Sequence, residues 1–261
     1  MKILVYIKQV PDTDEVKVDP VTGNLKREGV DSKMNPPDKH AVEAAIQLKE
    51  QYGGSVHVIT MGIPAADDIL KEALAMGCDE SYLLTDRKLG GADTLATGYP
   101  LAKAAEKIGD YDLLLCGKHA VDAETAQTGQ IIAEFLGIPQ ATLVSKIEIK
   151  DNVAVCERML PDCKEVVEIK LPALLTVSEE INTPRYPSPI NIMKALKKPR
   201  HQWSADDIGA DPDRIGKNGS PSSNIKLFEP PKRDSNTEYI EGSTEEIVQK
   251  IISILAAEKI I

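Results

Sequence analysis

The 261-residue chain is poor in aromatic side chains, which make up 4% of the sequence and include one Trp and two Phe. Its core must therefore be built from Ile, Leu, Val and Ala. The formal net charge is -10. Such a chain lacks the basic face with which proteins displace counterions from nucleic acids, which argues against nucleic-acid binding. No apolar run approaches the length of a membrane span, and the first strand-like run is too short for a signal peptide.

Several common site motifs are also missing. The four cysteines form no CxxC pair and have no zinc-finger or iron–sulfur spacing, so we expect reduced thiols in a cytoplasmic protein. The four histidines lack the spacing of metal ligands, and no metal site is expected. The sequence contains neither GxGxxG nor a Walker A motif. His119 has no nucleophile paired with it by motif, so no catalytic residue is predicted.

What is present is a regular alternation of strands and helices in the first half of the chain. Apolar runs predict strands at residues 2–8, 56–61, 81–85 and 113–117. Helical spacing predicts helices at residues 38–50, 64–76, 93–108 and 125–136. Strands joined by helices of this length form a parallel sheet with right-handed crossovers. The pattern predicts a doubly wound α/β fold, with ligands outside the carboxyl ends of the strands.

The pattern changes after residue 141. Further strands are predicted at residues 142–149, 153–160, 165–170 and 174–177, and we expect them to extend the sheet with antiparallel edge strands. From about residue 199 to 241 the chain is rich in Pro, Gly, Asp and Ser, a composition that buries little apolar surface. A capping box at Ser243–Glu246 then opens an amphipathic helix. The sequence thus predicts a domain over residues 1–198 and a C-terminal arm over residues 199–261. The final helix either docks at a distance or packs on its own domain.

Four stretches at predicted strand ends could hold a ligand. Asn35 or Asp38 can cap the first helix, which begins where a nucleotide would lie. Thr60–Gly62 ends the second strand with a residue small enough for a ring or ribose to approach. Asp86–Thr94 combines two glycines with a helix start, which suits an anion. Taken alone, the first stretch is better explained by a capped helix without a ligand, the second is a weak indication, and the third is equally compatible with a tight turn and an N-cap.

The fourth stretch, Gly117–Gln130, gives the strongest indication. It follows a buried strand, mixes Gly, Thr, Asp, Glu and Gln, and opens a helix. Helix amides together with the hydroxyls of Thr125 and Thr128 can hold a pyrophosphate.

This fourth stretch resembles the nucleotide loop of electron-transfer flavoprotein β subunits. The family resemblance includes Asn35-Pro36, Leu74–Asp79, Leu171–Val177 and Asn182–Tyr186, and it runs in order from residue 1 to about residue 200. It implies an adenine-nucleotide α-hydrolase-like α/β domain whose C-terminal arm embraces a larger α subunit that carries its own flavin. Ordinary members hold AMP as a structural ligand, whereas electron-bifurcating members hold FAD in the same site.

Two features resemble the bifurcating subgroup: Thr125–Gln127 and the loop Asp86–Thr94. Residues 215–221 are similar to that subgroup too, whereas Ala123-Glu124 and Thr128–Gln130 depart from many of its members. The nucleotide-binding residues that the resemblance implies are Tyr6, Asn35, Asp38, Met61, Gly117, Lys118, Asp122, Thr125, Gln127 and Thr128, with Asp86, Asp93 and Thr94 added for FAD.

The resemblance implies that NADH reduces this FAD, which passes one electron to ferredoxin and the other through the α-subunit FAD to a flavin dehydrogenase. The dehydrogenase would be of the acyl-CoA or the lactate type, and the segment Arg185–Ala195 corresponds to the loop that docks on it. Two alternatives stay open at this point. One is an ordinary electron carrier that holds AMP, and the other is a stand-alone ATP- or AMP-binding module of the stress-protein type.

Overall fold

The structure is a computed structural model and describes residues 1–12, 31–222 and 237–261. The chain divides into two compact units, Met1–Lys226 and Leu227–Ile261. The strands are β1 (Lys2–Tyr6), β2 (Gln9–Pro11), β3 (Ser32–Met34), β4 (Ser55–Met61), β5 (Glu80–Leu84), β6 (Leu113–Gly117), β7 (Gln140–Lys150), β8 (Val153–Met159), β9 (Lys164–Lys170), β10 (Ala173–Val177) and β11 (Arg200–Trp203). The helices are α1 (Pro36–Tyr52), α2 (Asp67–Met76), α3 (Thr94–Ile108), α4 (Thr128–Leu136), α5 (Pro189–Ala195) and α6 (Thr244–Ala257).

Nine of the strands in the described residues form one sheet, in the order β11-β5-β4-β1-β6-β10-β7-β8-β9. From β11 to β7 all neighbours are parallel, and β8 and β9 continue the sheet antiparallel. The remaining strands, β2 and β3, form a small antiparallel pair. The doubly wound, mainly parallel α/β fold and its antiparallel edge are confirmed.

Side chains alternate across the sheet as strand geometry requires. Ile3 and Val5 of β1 join the core beneath α1 and α2, whereas Leu4 and Tyr6 join the core beneath α3 and α4. The chain runs outward from β1 through β4 to β5 and then returns to place β6 on the other side of β1. This reversal makes the carboxyl ends of β1 and β6 the topological switch point, where open α/β sheets bind ligands.

Two predictions about secondary structure need correction here. Residues 174–177 form β10, an interior parallel strand between β6 and β7. Residues 64–66 form a 3-10 turn before α2, which begins at Asp67. The boundary between domain and arm at residue 199 stays a prediction; β11 pairs with β5, and the residues that follow it bury Ala205, Ile208 and Ile215.

The C-terminal unit contains α6, whose predicted capping box is present: the Ser243 side chain accepts from the Glu246 amide and the Glu246 side chain accepts from the Ser243 amide. Among the described residues, no helix combines the length and apolar character needed to cross a bilayer. The predicted low-apolar stretch also includes residues 223–236, which lie outside the described part of the chain.

Candidate nucleotide site at the carboxyl ends of β1 and β6

The switch point is held together by one buried carboxylate. Oδ2 of Asp38 accepts from the Lys8 amide at 2.8 Å, and Oδ1 accepts from the Gly117 amide at 3.0 Å. Lys8 lies just after β1 and Gly117 ends β6, so Asp38 joins the two strand ends. A Cβ on Gly117 would lie 2.6 Å from Asp38 Oδ1 and from the Pro37 carbonyl carbon, so only glycine fits.

Burial raises the pKa of Asp38 from 3.8 to about 7, although the Asn35 side chain, the two backbone amides and the charge of Lys8 oppose the shift. Desolvation therefore outweighs the hydrogen bonds at this position. The carboxyl group changes charge near neutral pH, directly at the switch point.

Asn35 anchors the loop that follows β6. Its Nδ2 donates to the His119 carbonyl at 2.8 Å, and its Oδ1 accepts from the Val121 amide at 3.0 Å. Asn35 occupies the N-cap position of α1 but makes no side-chain cap. The prediction that Asn35 or Asp38 caps this helix is wrong, because the Asn35 side chain bonds to the loop after β6 and the Asp38 side chain bonds to the two strand ends.

The loop from Lys118 to Gln127 has a second anchor. Lys8 Nζ pairs with Asp122 at 2.6 Å, and Lys118 Nζ lies 3.9 Å from Glu179. Glu124 and Ala126 adopt left-handed backbone conformations, each with φ of 52°. Such strain in non-glycine residues is concentrated at functional sites. These left-handed residues also make the helix shorter than predicted. The sequence predicts a helix over residues 125–136, but α4 begins only at Thr128.

The start of α4 has the geometry of an anion site. Gln127 occupies its N-cap without a side-chain hydrogen bond, so the amides of the first turn receive no side-chain acceptor from it. Thr94, the first residue of α3, donates its Oγ1 to Gln127 Oε1 at 3.4 Å, which brings the two helix starts together. A Cβ on Gly129 would lie 2.8 Å from Cys116 Sγ, so glycine lets α4 approach β6 closely.

Tyr6 and Met61 lie on the α3 and α4 side of the sheet, at or near the ends of β1 and β4. The Tyr6 hydroxyl is buried and has no hydrogen-bond partner among the described residues. Burial raises the pKa of Tyr6 well above its usual value, so the phenol keeps its proton as a donor.

Asp86 and Asp93 are also near a helix start, but their carboxylates are engaged within the chain. Asp86 accepts from the amides of Lys88 at 3.0 Å and Ala205 at 3.3 Å. Asp93 caps α3 by accepting from the Ala96 amide at 3.0 Å, and it also accepts from Ser222. The carboxylates of Asp86 and Asp93 therefore shape the 86–94 loop, and the hydroxyl at this helix start belongs to Thr94.

Nine of the predicted residues fall into two groups. Asn35, Asp38, Gly117, Lys118 and Asp122 belong to the framework around the switch point. Thr94, Gln127 and Thr128 meet at the starts of α3 and α4, with Thr125 in the exposed loop beside them. Sequence reasoning did not select Lys8 or Gly129. A lysine directly after β1 and a glycine in the first turn of α4 are the signals that could have identified them.

Two cavities border the helices of this site. One of about 350 Å³ is lined by Gln130, Arg158 and residues of β7 and β9, and one of about 110 Å³ lies between α3, α4 and residues 213–219. The candidate site at the switch point consists of hydroxyls, backbone amides and strand ends. Within residues 1–12, 31–222 and 237–261, no group of three or more His, Cys, Asp and Glu side chains could hold a metal ion.

Comparison with known proteins gives the chain its family. The family described as "Electron transfer flavoprotein domain" matches residues 22–208. The chain is 48% identical over 262 residues to an electron transfer flavoprotein subunit beta of Thermoanaerobacterium thermosaccharolyticum, with both chains covered completely. It is 46% identical over 263 residues to the caffeyl-CoA reductase-Etf complex subunit CarD of Acetobacterium woodii, again with complete coverage of both chains.

A third relative, from Anaerotignum propionicum, is named acryloyl-CoA reductase electron transfer subunit gamma. It is 36% identical over 269 residues, and both chains are covered completely. Full-length identity at these levels, together with the match of the domain to most of the α/β unit, shows that the chain belongs to the electron transfer flavoprotein family, as a β subunit.

Proposed function

We propose that this β subunit holds the adenylate part of an FAD at the switch point and works in a complex that bifurcates electrons from NADH. The observation that carries the proposal is the start of α4, which lacks a side-chain cap and lies beside Thr94 at the carboxyl ends of β1 and β6. Helix amides and hydroxyls in this arrangement suit a pyrophosphate, because they offer donors and a positive dipole end.

The residues present fit such a group. The amides at the start of α4 and the hydroxyls of Thr94, Thr125 and Thr128 would hold phosphate oxygens, and Gln127 would add an amide group. Tyr6 has a buried donor without a partner among the described residues, which suits a polar atom of the ligand. The other residues that we propose for the nucleotide site surround these groups: Asn35, Asp38, Met61, Asp86, Asp93, Gly117, Lys118 and Asp122.

When bound, FAD would supply the acceptance of a hydride from NADH and the release of its two electrons singly, one to ferredoxin and one through the α-subunit FAD to a flavin dehydrogenase. The chain's own residues bind and orient the cofactor and tune its surroundings. Asp38 joins the ends of β1 and β6, Asn35 holds the loop that contains Thr125, and Lys118 contributes a positive charge beside it. None of these side chains needs to take part in covalent chemistry.

The identity of the partner dehydrogenase is supported by the relatives' names. One belongs to a caffeyl-CoA reductase-Etf complex and another is an acryloyl-CoA reductase electron transfer subunit. A dehydrogenase of the acyl-CoA type is therefore the partner that we propose, with a lactate-type enzyme as the alternative. The C-terminal arm with α6 would dock on the α subunit, and the complex would work in the cytoplasm.

The nucleotide site is tested with paired threonine variants of the α/β heterodimer. Thr94→Val together with Thr128→Val removes two hydroxyls while keeping side-chain shape. Hydrogen bonds to charged groups contribute about 1.5–3 kcal/mol, so we expect nucleotide affinity to fall by at least about tenfold. Thr97→Val makes the same change about one turn further along α3 and serves as the control. Equal nucleotide affinity in all variants would refute the site.

Bifurcation is tested with NADH, ferredoxin, an acyl-CoA dehydrogenase and its enoyl-CoA substrate. We expect NADH to reduce ferredoxin only when the enoyl-CoA substrate is present. The reason is that the unfavourable transfer of one electron to ferredoxin is driven by the favourable transfer of the other to the dehydrogenase. The double variant should lose this coupling, whereas Thr97→Val should keep it. A complex that holds AMP and transfers electrons without ferredoxin would instead be an ordinary carrier. A chain that binds ATP or AMP and forms no heterodimer would be a stand-alone module.

A further inference from the structure

The segment that follows β11 forms a strap, defined here as residues 204–222, along the 86–94 loop and α3. At its beginning, the Ala205 amide donates to Asp86 Oδ2 at 3.3 Å, and Asp206 pairs with Lys88 at 2.9 Å. In its middle, the Asp211 amide donates to the Tyr99 hydroxyl at 3.1 Å. The strap is therefore attached along α3 before it reaches the candidate nucleotide site.

The middle of the strap is also packed. The Arg214 guanidinium lies 4.0 Å from the centroid of the Tyr99 ring, and Ile208 and Ile215 are buried in the core beneath α3 and α4. Gly216 has a φ of +57°, and a Cβ there would collide with the Lys88 carbonyl. The strap thus has a defined path, which ends at Asp93, the N-cap residue of α3, next to Thr94.

At the end of the strap, the Asp93 carboxylate bonds both to α3 and to the strap. Oδ1 of Asp93 caps α3 through the Ala96 amide at 3.0 Å. Oδ2 accepts from the Ser222 hydroxyl at 2.8 Å and from the Ser222 amide at 3.2 Å. The Asp93 amide in turn donates to Ser220 Oγ at 2.8 Å. Asp93 thus joins the end of the strap to the start of α3. Its two partners, Ser220 and Ser222, lie 127 and 129 residues later in the sequence.

We infer that Asp93 is a positioning residue for the nucleotide site, since its bonds to Ser220 and Ser222 fix the start of α3 so that Thr94 lies beside Gln127 and α4. This inference rests on the proposed function and adds a role for residues far along the chain. Nucleotide binding and strap closure are then coupled. If nucleotide binding stabilises the bonds between the strap and Asp93, those bonds increase nucleotide affinity by the same factor.

Two variants of Asp93 and Ser222 separate this role from simple helix capping. Asp93→Asn keeps an oxygen for the α3 cap, since asparagine is a good N-cap residue, but it turns an amide donor toward the Ser222 amide. Ser222→Ala removes the hydroxyl alone, and Ser222→Thr restores it. Ser204→Ala is the matched control, because the Ser204 hydroxyl bonds to Asp207 within the strap, at the end away from Asp93.

The experiment measures AMP binding to the nucleotide-stripped heterodimer by calorimetry, with hydrogen exchange of residues 216–222 in parallel. We expect about tenfold weaker AMP binding for Asp93→Asn and Ser222→Ala, which corresponds to about 1.4 kcal/mol. Ser222→Thr and Ser204→Ala should keep wild-type affinity, and AMP should slow exchange in the strap of the wild type.

Unchanged AMP affinity in Asp93→Asn and Ser222→Ala, together with faster exchange of the strap, would overturn the inference and leave the nucleotide site standing. Absence of both AMP and FAD binding in the unaltered heterodimer would overturn the proposed function, and the inference with it.

Discussion

Replacing Asp38 by Asn tests whether a buried carboxyl group holds the switch point. Asp38 is 6% exposed, and its two oxygens accept from the amides of Lys8 and Gly117. Asparagine has nearly the same shape but keeps only one acceptor oxygen, so its amide nitrogen must face one of the two backbone donors. A buried donor without an acceptor costs about 1–3 kcal/mol. We expect this loss in the free energy of unfolding at the acidic end of the pH range, where Asp38 carries its proton in the folded chain.

The variant also removes a titration whose sign follows from the pKa. Burial raises the pKa of Asp38 to about 7 in the folded chain, from 3.8 for the ordinary group. Between these values the folded chain holds a proton that the unfolded chain has lost, so stability falls as the pH rises. The slope approaches about 1.4 kcal/mol per pH unit, and the total over roughly three units is about 4 kcal/mol. Above about pH 8 the slope should vanish.

The assay is urea unfolding of the full-length chain at half-unit steps from pH 4.5 to 8.5. The difference in the free energy of unfolding between wild type and Asp38→Asn should decrease by about 1.4 kcal/mol per unit between about pH 5 and 6.5. Thr176→Val, a buried change near the same strands that removes no titrating group, should differ from wild type by a constant. Parallel curves for wild type and Asp38→Asn would refute the reasoning.

Three further predictions concern the same region. Gly129→Ala should lower the free energy of unfolding by about 1–3 kcal/mol in thermal or urea melts, because its Cβ would lie 2.8 Å from Cys116 Sγ; an unchanged melt would contradict the packing of α4. Lys8→Met should change stability by at most about 1 kcal/mol, since Lys8 is half-exposed, yet it should weaken nucleotide binding by releasing Asp122; calorimetry with AMP would show unchanged affinity if the pair has no role. A chain that ends at Ser222 should lose only the helical signal of α6 from its circular dichroism spectrum and should lose the α subunit on size exclusion, whereas recovery of the heterodimer would contradict the role proposed for the arm.

The parts of the fold that follow from local periodicity could be predicted from the sequence. Buried parallel strands are continuous apolar runs, and the helices between them show helical spacing. The prediction for β6 matches the observed bounds, Leu113–Gly117. By contrast, β11 is four residues long and mostly polar, and only its pairing with β5 makes it a strand.

The start of α4 shows a different limit. Glu124 and Ala126 have left-handed backbones, although neither residue type favours that conformation. The loop is held there by contacts with Lys8 and Asn35, which lie far away in sequence. Local propensity therefore extended the helix to Thr125, and the tertiary structure shortened it.

The candidate site was predictable as a place and less so as a set of contacts. The rule that ligands lie at strand ends near a switch point selected Gly117 and the residues after it. It could not show that Asp38 bridges two strand ends, or that Asp93 accepts from a serine 129 residues later. Carboxylates look alike in sequence whether they face a ligand or the chain's own amides.

The central claim is that the switch point holds an adenine nucleotide, and the nucleotide content of the native heterodimer tests it most directly. Denaturation followed by mass spectrometry should yield two FAD per heterodimer, and only one from the Thr94→Val and Thr128→Val double variant. One FAD with no second adenine nucleotide in the unaltered complex would contradict the account.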